Sequence, residues 1–229
     1  MTDKSNLFVL SLGGSLIAPK TGFDIAFLKS FKELILEEIK KGKRFIIVCG
    51  GGNTAREYQA AARGVGELED EDIDWIGIHS TRLNAHFIRT IFRKVAHPIV
   101  VKNPTTKFEW TESVLIAAGW KPGWSTDYDA VKLAQNFGAG LVINLSNISY
   151  VFNKDPKEAG ARKIEKMTWP ELQEIVGTVW RPGANVPFDP IATKEASDSG
   201  LKLAFVKGTE LSEVKKAILG QKFEGTVVE

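Results

Sequence analysis

The sequence predicts an α/β sandwich built on a mainly parallel sheet. Short apolar runs alternate with segments of helical periodicity along the whole chain. Three glycine-bearing turns each follow an apolar run and lead toward a helix, as in strand–turn–helix units. A length of 229 residues fits one domain, 1–229, with a substantial core.

In chain order, Leu7–Leu12 (LFVLSL) is short and apolar and closes on Gly13-Gly14-Ser15, which predicts a buried strand entering a loop. Asp24–Lys41 carries Phe27, Leu28, Phe31, Leu34 and Ile35 at helical spacing and stops before Gly42. Arg44–Cys49 (RFIIVC) is a strand broken by Gly50-Gly51-Gly52, and the Ala-rich Asn53–Arg63 is a helix. An acidic stretch, Glu67–Asp74, precedes a helix over Ile76–Lys94. Pro98–Lys102 (PIVVK) reads as a strand and Asn103–Thr111 as a polar connector. Ser113–Gly119 is a further strand, closing at Trp120-Lys121-Pro122-Gly123; Thr126–Phe137 is a helix and Leu141–Leu145 a strand. Ser149–Lys166 reads as loop. Thr168 caps a helix reaching Val176, with a proline in its first turn. Beyond a Gly/Pro-rich loop come helix Pro190–Ser199, strand Leu201–Val206, helix Ser212–Leu219 and a tail strand, Gly225–Val228.

Composition narrows the function classes. Hydrophobic residues make up 43% and charged residues 25%, the balance of an ordinary soluble domain rather than a disordered or membrane chain. The net charge of +2 is small and both signs are interspersed, so neither a nucleic-acid nor a membrane partner is expected. A single cysteine, Cys49, excludes an internal disulfide framework and suits a reducing compartment; the expected location is cytoplasmic.

The three glycine turns are Gly13-Gly14-Ser15, Gly50-Gly51-Gly52 and Pro122-Gly123 leading to Ser125-Thr126. In an open α/β sheet, ligands bind where carboxyl ends of strands meet amino ends of helices. Glycine lets backbone N–H groups approach phosphate oxygens closely, and the helix dipole favours the anion. Any one turn is equally well explained by tight-turn geometry; three at equivalent strand ends suit a ligand carrying several phosphates. The pattern G-x-x-x-x-G-K-[ST] is absent, which excludes a P-loop enzyme. Gly50-Gly51-Gly52-Asn53-Thr54-Ala55 matches the relaxed dinucleotide pattern, but no second strand ends in an acid about 20 residues later.

Four charged residues are candidates for phosphate chemistry, each with a plain alternative. Arg56, in the first turn of the helix opened by the second glycine turn, can reach an anion held there or simply face solvent. Asp127 follows Ser125-Thr126 at another helix start; it organises cations beside a transferring phosphoryl group, or is a dipole-favoured acid behind a Thr126 cap. Lys194 sits early in a helix, against the dipole, as a candidate cation or an exposed lysine. Asp74 is a ribose acceptor or a capping acid. Trp120 and Trp124 flank the third turn and can line a base or sugar pocket. His79 and His86 lie two turns apart, too sparse for a metal site, and no metal ligands are expected.

Motifs with these residues occur along almost the whole chain. Leu12-Gly13-Gly14-Ser15, Val48-Cys49-Gly50-Gly51-Gly52-Asn53-Thr54-Ala55-Arg56, Pro122-Gly123-Trp124-Ser125-Thr126-Asp127 and Asp189-Pro190-Ile191-Ala192-Thr193-Lys194 resemble archaeal-type UMP kinases of the amino acid kinase family. Asp74-Trp75-Ile76-Gly77-Ile78-His79-Ser80-Thr81-Arg82-Leu83-Asn84-Ala85 is the most subfamily-specific match, because glycine turns recur across that family. The resemblance implies a three-layer αβα sandwich, transfer of the ATP γ-phosphoryl group to UMP with Mg²⁺ on the phosphates, and a homohexamer. It implies that the N-terminal part contributes mainly the UMP site and the C-terminal part mainly the ATP site. Ser11, Gly13, Gly14, Ser15, Gly52 and Arg56 would meet ATP, with Ser146, Asn147, Phe152 and Asp155 around its base and ribose. Gly51, Asp74 and the run Trp120-Lys121-Pro122-Gly123-Trp124-Ser125-Thr126 would meet UMP. Asp127, Arg56 and Lys194 would be catalytic.

Two departures stand out. Related kinases read T-N-V-D-G-V-Y where this chain has Ser146-Asn147-Ile148-Ser149-Tyr150-Val151-Phe152, so a glycine becomes Tyr150. Ser11 stands where many relatives carry Lys or Asp. Two rivals follow: a nucleotide-binding sensor or storage protein with weakened turnover, and a kinase for another phosphorylated acceptor such as isopentenyl phosphate. The latter normally relies on a His near the glycine turn, and none lies near Gly50–Arg56.

Overall fold

β1 (Leu7–Leu12) is buried along its whole length, as a strand covered by helices on both faces requires. The computed structural model describes residues 6–155, 157–179 and 186–229. After the single-turn α1 (Gly14–Ile17), α2 (Ile25–Lys40) leads to β2 (Arg44–Cys49), α3 (Gly52–Val65) and α4 (Asp70–Ile91). β3 (Val114–Ala117), α5 (Thr126–Phe137) and β4 (Leu141–Ser146) follow. Three two-residue strands, β5 (Val151–Phe152), β6 (Lys163–Ile164) and β7 (Lys166–Met167), precede α6 (Trp169–Val176) and α7 (Pro190–Asp198). β8 (Lys202–Lys207), α8 (Leu211–Ile218) and β9 (Gly225–Val228) come last in the described order.

The main sheet has seven strands in the order β3-β2-β1-β4-β8-β9-β7. From β3 to β8 every neighbouring pair is parallel, and only β8–β9 is antiparallel. Alternate strand residues feed two cores. Leu7 and Val9 pack with Val131 of α5, Leu172 of α6 and Ala192 of α7, whereas Phe8, Leu10 and Leu12 pack with Phe31 of α2, Ile88 of α4 and Val214 of α8. Each fully buried side chain such as Phe31 or Ile35 contributes about 1.5–3 kcal/mol of burial. The result is the expected three-layer αβα sandwich.

This order positions a cleft. From β1 the chain moves outward through β2 to β3, then returns to add β4 and β8 on the other side of β1. Connections on the two sides diverge between β1 and β4, so the carboxyl ends of these strands flank an open crevice.

Four local expectations are corrected. Pro98–Lys102 is not a strand: only Ala96 and Val101 bridge to Val114 and Ala117. Pro98 has no N–H to donate, and Ile99 points to solvent. α4 begins at Asp70, not Ile76, because the acids at 70–72 form its first turn and complement the dipole. The supposed loop 149–166 contains β5 and β6, which form an antiparallel pair, and the start of β7. Ser125, not Thr126, caps α5, accepting from Tyr128 N at 3.2 Å. Thr168 does cap α6, through a reciprocal box with Glu171. Pro156 and the Gly/Pro-rich loop at 180–185 lie outside the described residues.

Candidate active site

Ser11 on β1 and Asn144 on β4 are register partners across the point where the strand order reverses. Both share the face of Val9 and Val142, toward α5. There Ser11 Oγ donates to Asp127 Oδ1 at 3.1 Å, and Asn144 Nδ2 donates to the same oxygen at 3.2 Å. Asp127, in the first turn of α5, thus forms the crevice floor. Burial, and then the negative charge of Asp189, push its pKa up to about 7; the Ser11 hydroxyl and the Asp189 amide oppose that rise. Asp189 is itself buried at the start of α7, where one carboxyl oxygen accepts from Ile191 N and Ala192 N and the other has no partner.

The first two glycine turns meet backbone to backbone. A Cβ on Gly14 would lie 2.0 Å from Gly52 N, and one on Gly52 would lie 2.1 Å from Gly14 O. Gly52 also has φ +65°, a conformation side chains resist. Gly13 N donates to Leu145 O at 2.8 Å, tying the β1 turn to the end of β4. From α4, Asn84 Nδ2 donates to Gly50 O (2.8 Å) and Gly51 O (3.1 Å), pinning the second turn. Backbone from three strand ends therefore converges on one spot.

The third turn makes the opposite wall. Asp74 Oδ2 accepts from Gly123 N at 2.9 Å, joining two residues expected on the same ligand. Burial raises the Asp74 pKa, against the Gly123 hydrogen bond. Trp120 is held from both sides: its N–H donates to Asp129 Oδ2 at 3.2 Å, and its carbonyl accepts from Arg82 Nη2 at 2.8 Å. Gly119 N donates to Thr81 Oγ1 at 2.8 Å. Trp124 lies between Trp120, at 6.0 Å, and Tyr128, at 4.1 Å between ring centres, and Lys121 Nζ sits 4.3 Å over the Trp120 ring. A row of rings beside a backbone turn suits a flat base and its phosphate.

Asp129 is fully buried with one oxygen unpartnered, and burial holds its pKa well above the aspartate range. Asp129→Ala is expected to cost about 1–3 kcal/mol in urea denaturation, because it removes the acceptor of the part-buried Trp120 N–H. Asp129→Asn keeps an acceptor there and should lose less.

Other expected residues are placed as follows. Ser15 accepts from Asn147 Nδ2 at 3.1 Å, and Ser15, Asn147 and Arg56 line one cavity. The Ser146 carbonyl accepts from Gly208 N, which brings the end of β8 to the same edge. Lys194 is not brought to the Asp127 group: its Nζ lies 3.0 Å from Asp198 Oδ2, and the side chain is 73% exposed. Phe152 belongs to the β5–β6 pair, and Asp155 closes an exposed turn by accepting from Lys157 N. Lys163 lies over the Tyr150 ring at 4.4 Å. Cys49 is buried in β2, where burial pushes its thiol pKa up. Among the described residues no three His, Cys, Asp or Glu side chains converge as a metal site.

Sequence reasoning missed Asn84, Arg82, Asp129 and Asp189 as site builders. Asp129 lies in none of the matching motifs, and Arg82 and Asn84 belong to the Asp74–Ala85 motif, which by itself gives them no role of their own. Asp189, directly before a proline, carries a capping signal as well.

Residues 6–207 match the amino acid kinase family. A uridylate kinase of Methanococcus vannielii is 34% identical over 96% of this chain and 98% of its own length. That of Methanocaldococcus jannaschii is 33% identical with the same coverage. The solved uridylate kinase of Archaeoglobus fulgidus superposes with a TM-score of 0.82 at 31% identity, covering 97% of this chain and 99% of that one. The UMP kinase of Bacillus anthracis, at 21% identity and a TM-score of 0.79, shares the fold.

Proposed function

Since this chain belongs to the amino acid kinase family, we propose that it transfers the γ-phosphoryl group of ATP to UMP, giving ADP and UDP. The observation that carries the reading is the crevice between β1 and β4. Asp127 is held there by Ser11 of β1 and Asn144 of β4, Gly13 N ties the first glycine turn to the end of β4, and the second glycine turn abuts the first at Gly14 and Gly52. The N-terminal part contributes mainly the UMP site and the C-terminal part mainly the ATP site. No described helix is long and apolar enough to cross a membrane. The protein acts in the cytoplasm, as a homohexamer.

Transfer is direct and in line, without a covalent enzyme intermediate. An oxygen of the UMP phosphate forms the new P–O bond as the bond from the γ-phosphorus to the β,γ-bridging oxygen breaks, and ADP leaves with that electron pair. The acceptor is already ionised, so no general base is required. Catalysis consists of positioning two anions and stabilising the charge that develops between them. The turns at Gly13–Ser15 and Gly51–Gly52 approach the phosphates with backbone N–H groups, and Arg56 supplies a fork of donors. Asp74 and Gly123, already hydrogen-bonded, fix the ribose end of UMP. Mg²⁺, when bound, would be held mainly through the phosphates, with Asp127 as the organising carboxylate beside it, and would supply neutralisation of their charge.

The deciding assay measures ADP release with ATP, Mg²⁺ and, separately, UMP, CMP, AMP, GMP and isopentenyl phosphate. UMP should lead by a wide margin. Preference for isopentenyl phosphate, or UMP binding without ADP formation, sinks the reading in favour of its rivals. Arg56→Ala should remove about 1.5–3 kcal/mol of phosphate interaction. In steady-state kinetics that appears as a fall in kcat/KM of roughly 10–100-fold.

A further inference from the structure

Phosphoryl transfer between two nucleotides gathers several negative charges in one crevice, and few cations there are free to meet them. Lys194 is paired with Asp198, and Ser11 is neutral and committed to Asp127. Arg56 lines a cavity of about 380 Å³ at the mouth of the crevice, together with Ser15, Asn147, Thr209 and a lysine that no motif pointed to, Lys20.

The chain holds Lys20 there by backbone. The Ala18 carbonyl accepts from Asn53 N at 3.1 Å, tying the segment before Lys20 to the first turn of the helix that bears Arg56. Pro19 fixes the next φ, and its carbonyl accepts from Gly22 N at 3.2 Å, closing a turn around Lys20 and Thr21. Lys20 makes no ion pair among the described residues. Asp24, the one carboxylate lining the cavity, is engaged in capping α2, accepting from Phe27 N at 2.9 Å. Ser15 and Asn147, hydrogen-bonded to each other, connect this cavity to the first glycine turn.

We infer that Lys20 is a second phosphate-binding cation of this site, acting beside Arg56 on the terminal phosphates of the nucleoside triphosphate. The inference rests on the ATP-dependent reading above. Arg56 offers a rigid planar fork, whereas Lys20 offers a point charge on a flexible stem that follows the γ-phosphoryl group as it moves. Where relatives carry Lys at position 11, a cation at Lys20 also replaces that charge.

The test compares Lys20→Ala, Lys20→Arg and, as a charge control on the exposed face of α2, Lys29→Ala. KM for ATP is measured at saturating UMP, KM for UMP at saturating ATP, and ATP affinity by calorimetry without UMP. Lys20→Ala should raise KM and Kd for ATP about tenfold. KM for UMP and the melting temperature should stay at their parent values. Lys20→Arg should recover most of the loss, and Lys29→Ala should behave as the parent. An ATP Kd within twofold of the parent for Lys20→Ala, or an equal rise in KM for UMP, overturns the inference. If the parent binds ATP but forms no UDP, the functional reading fails while calorimetry still decides Lys20. If the parent binds no ATP, both fail.

Discussion

Asp127→Asn is expected to lower kcat by roughly 10²–10³-fold and, in the same variant, to raise the melting temperature. The activity loss follows from position: the carboxylate lies on the crevice floor, with Ser11 and Asn144 both aimed at one of its oxygens. The asparagine amide keeps the shape but removes the charge that orders the phosphates and their cations. The stability gain follows from linkage. The folded-state pKa is about 7 against an ordinary 3.8, so the native protein holds a proton that the unfolded chain has already released. Stability therefore falls as pH rises from about 4 to about 7, and the loss is complete above that range. A shift of this size corresponds to about 2–4 kcal/mol, allowing for the part of the residue that touches solvent. Urea melts of parent and variant should differ by that amount at pH 8 and converge near pH 4. The parent's turnover should rise through pH 7 as the carboxyl ionises. A variant with near-normal kcat, or no stability gain at pH 8, removes Asp127 from the role assigned here.

Gly14→Ala and Gly52→Ala should each destabilise the fold by about 3–5 kcal/mol and abolish measurable turnover. The cause is a collision between main chains, because the added Cβ atoms would lie 2.0–2.1 Å from backbone atoms of the facing turn. Backbone cannot rotate aside as a side-chain tip can. Gly52 adds the strain of φ +65°, about 1 kcal/mol or more. Gly123 separates the two effects: its φ is +85°, yet a Cβ there meets nothing within 4 Å. Gly123→Ala should therefore cost only the conformational strain. Chemical denaturation of the three variants checks the order, and equal losses in all three would show that the contact between the turns is not what the glycines serve.

Much of this architecture was legible because its signals are local. Thr126–Phe137 and Gly225–Val228 were bounded correctly by polar and glycine punctuation. Buried strands announced themselves as apolar runs, and alternation of strands and helices implied the layers. Four-residue α1 and two-residue β5–β7 were missed, since neither completes a period from which a pattern can be read. Pro98–Lys102 had strand-like composition but touches β3 at only two bridges, a tertiary fact. At the site, the glycine turns and Asp127 were legible from their place at strand ends. The Asp129–Trp120–Arg82 arrangement was not, because it joins residues whose neighbours in sequence give no sign of a shared partner. The place of Lys194 in the chain fits a phosphate site, while its pairing with an acid one helical turn onward is a feature of the folded surface.

The place of β1 between β2 and β4 has a consequence for how the protein is made. On the ribosome, the first strand gains its β2 neighbour early but keeps its other hydrogen-bonding edge bare until Leu141–Ser146 emerges. Through that interval a nascent apolar ribbon is open to pairing with foreign strands. The half-site at Gly13 stays unfinished, because its partner carbonyl on Leu145 has not been synthesised.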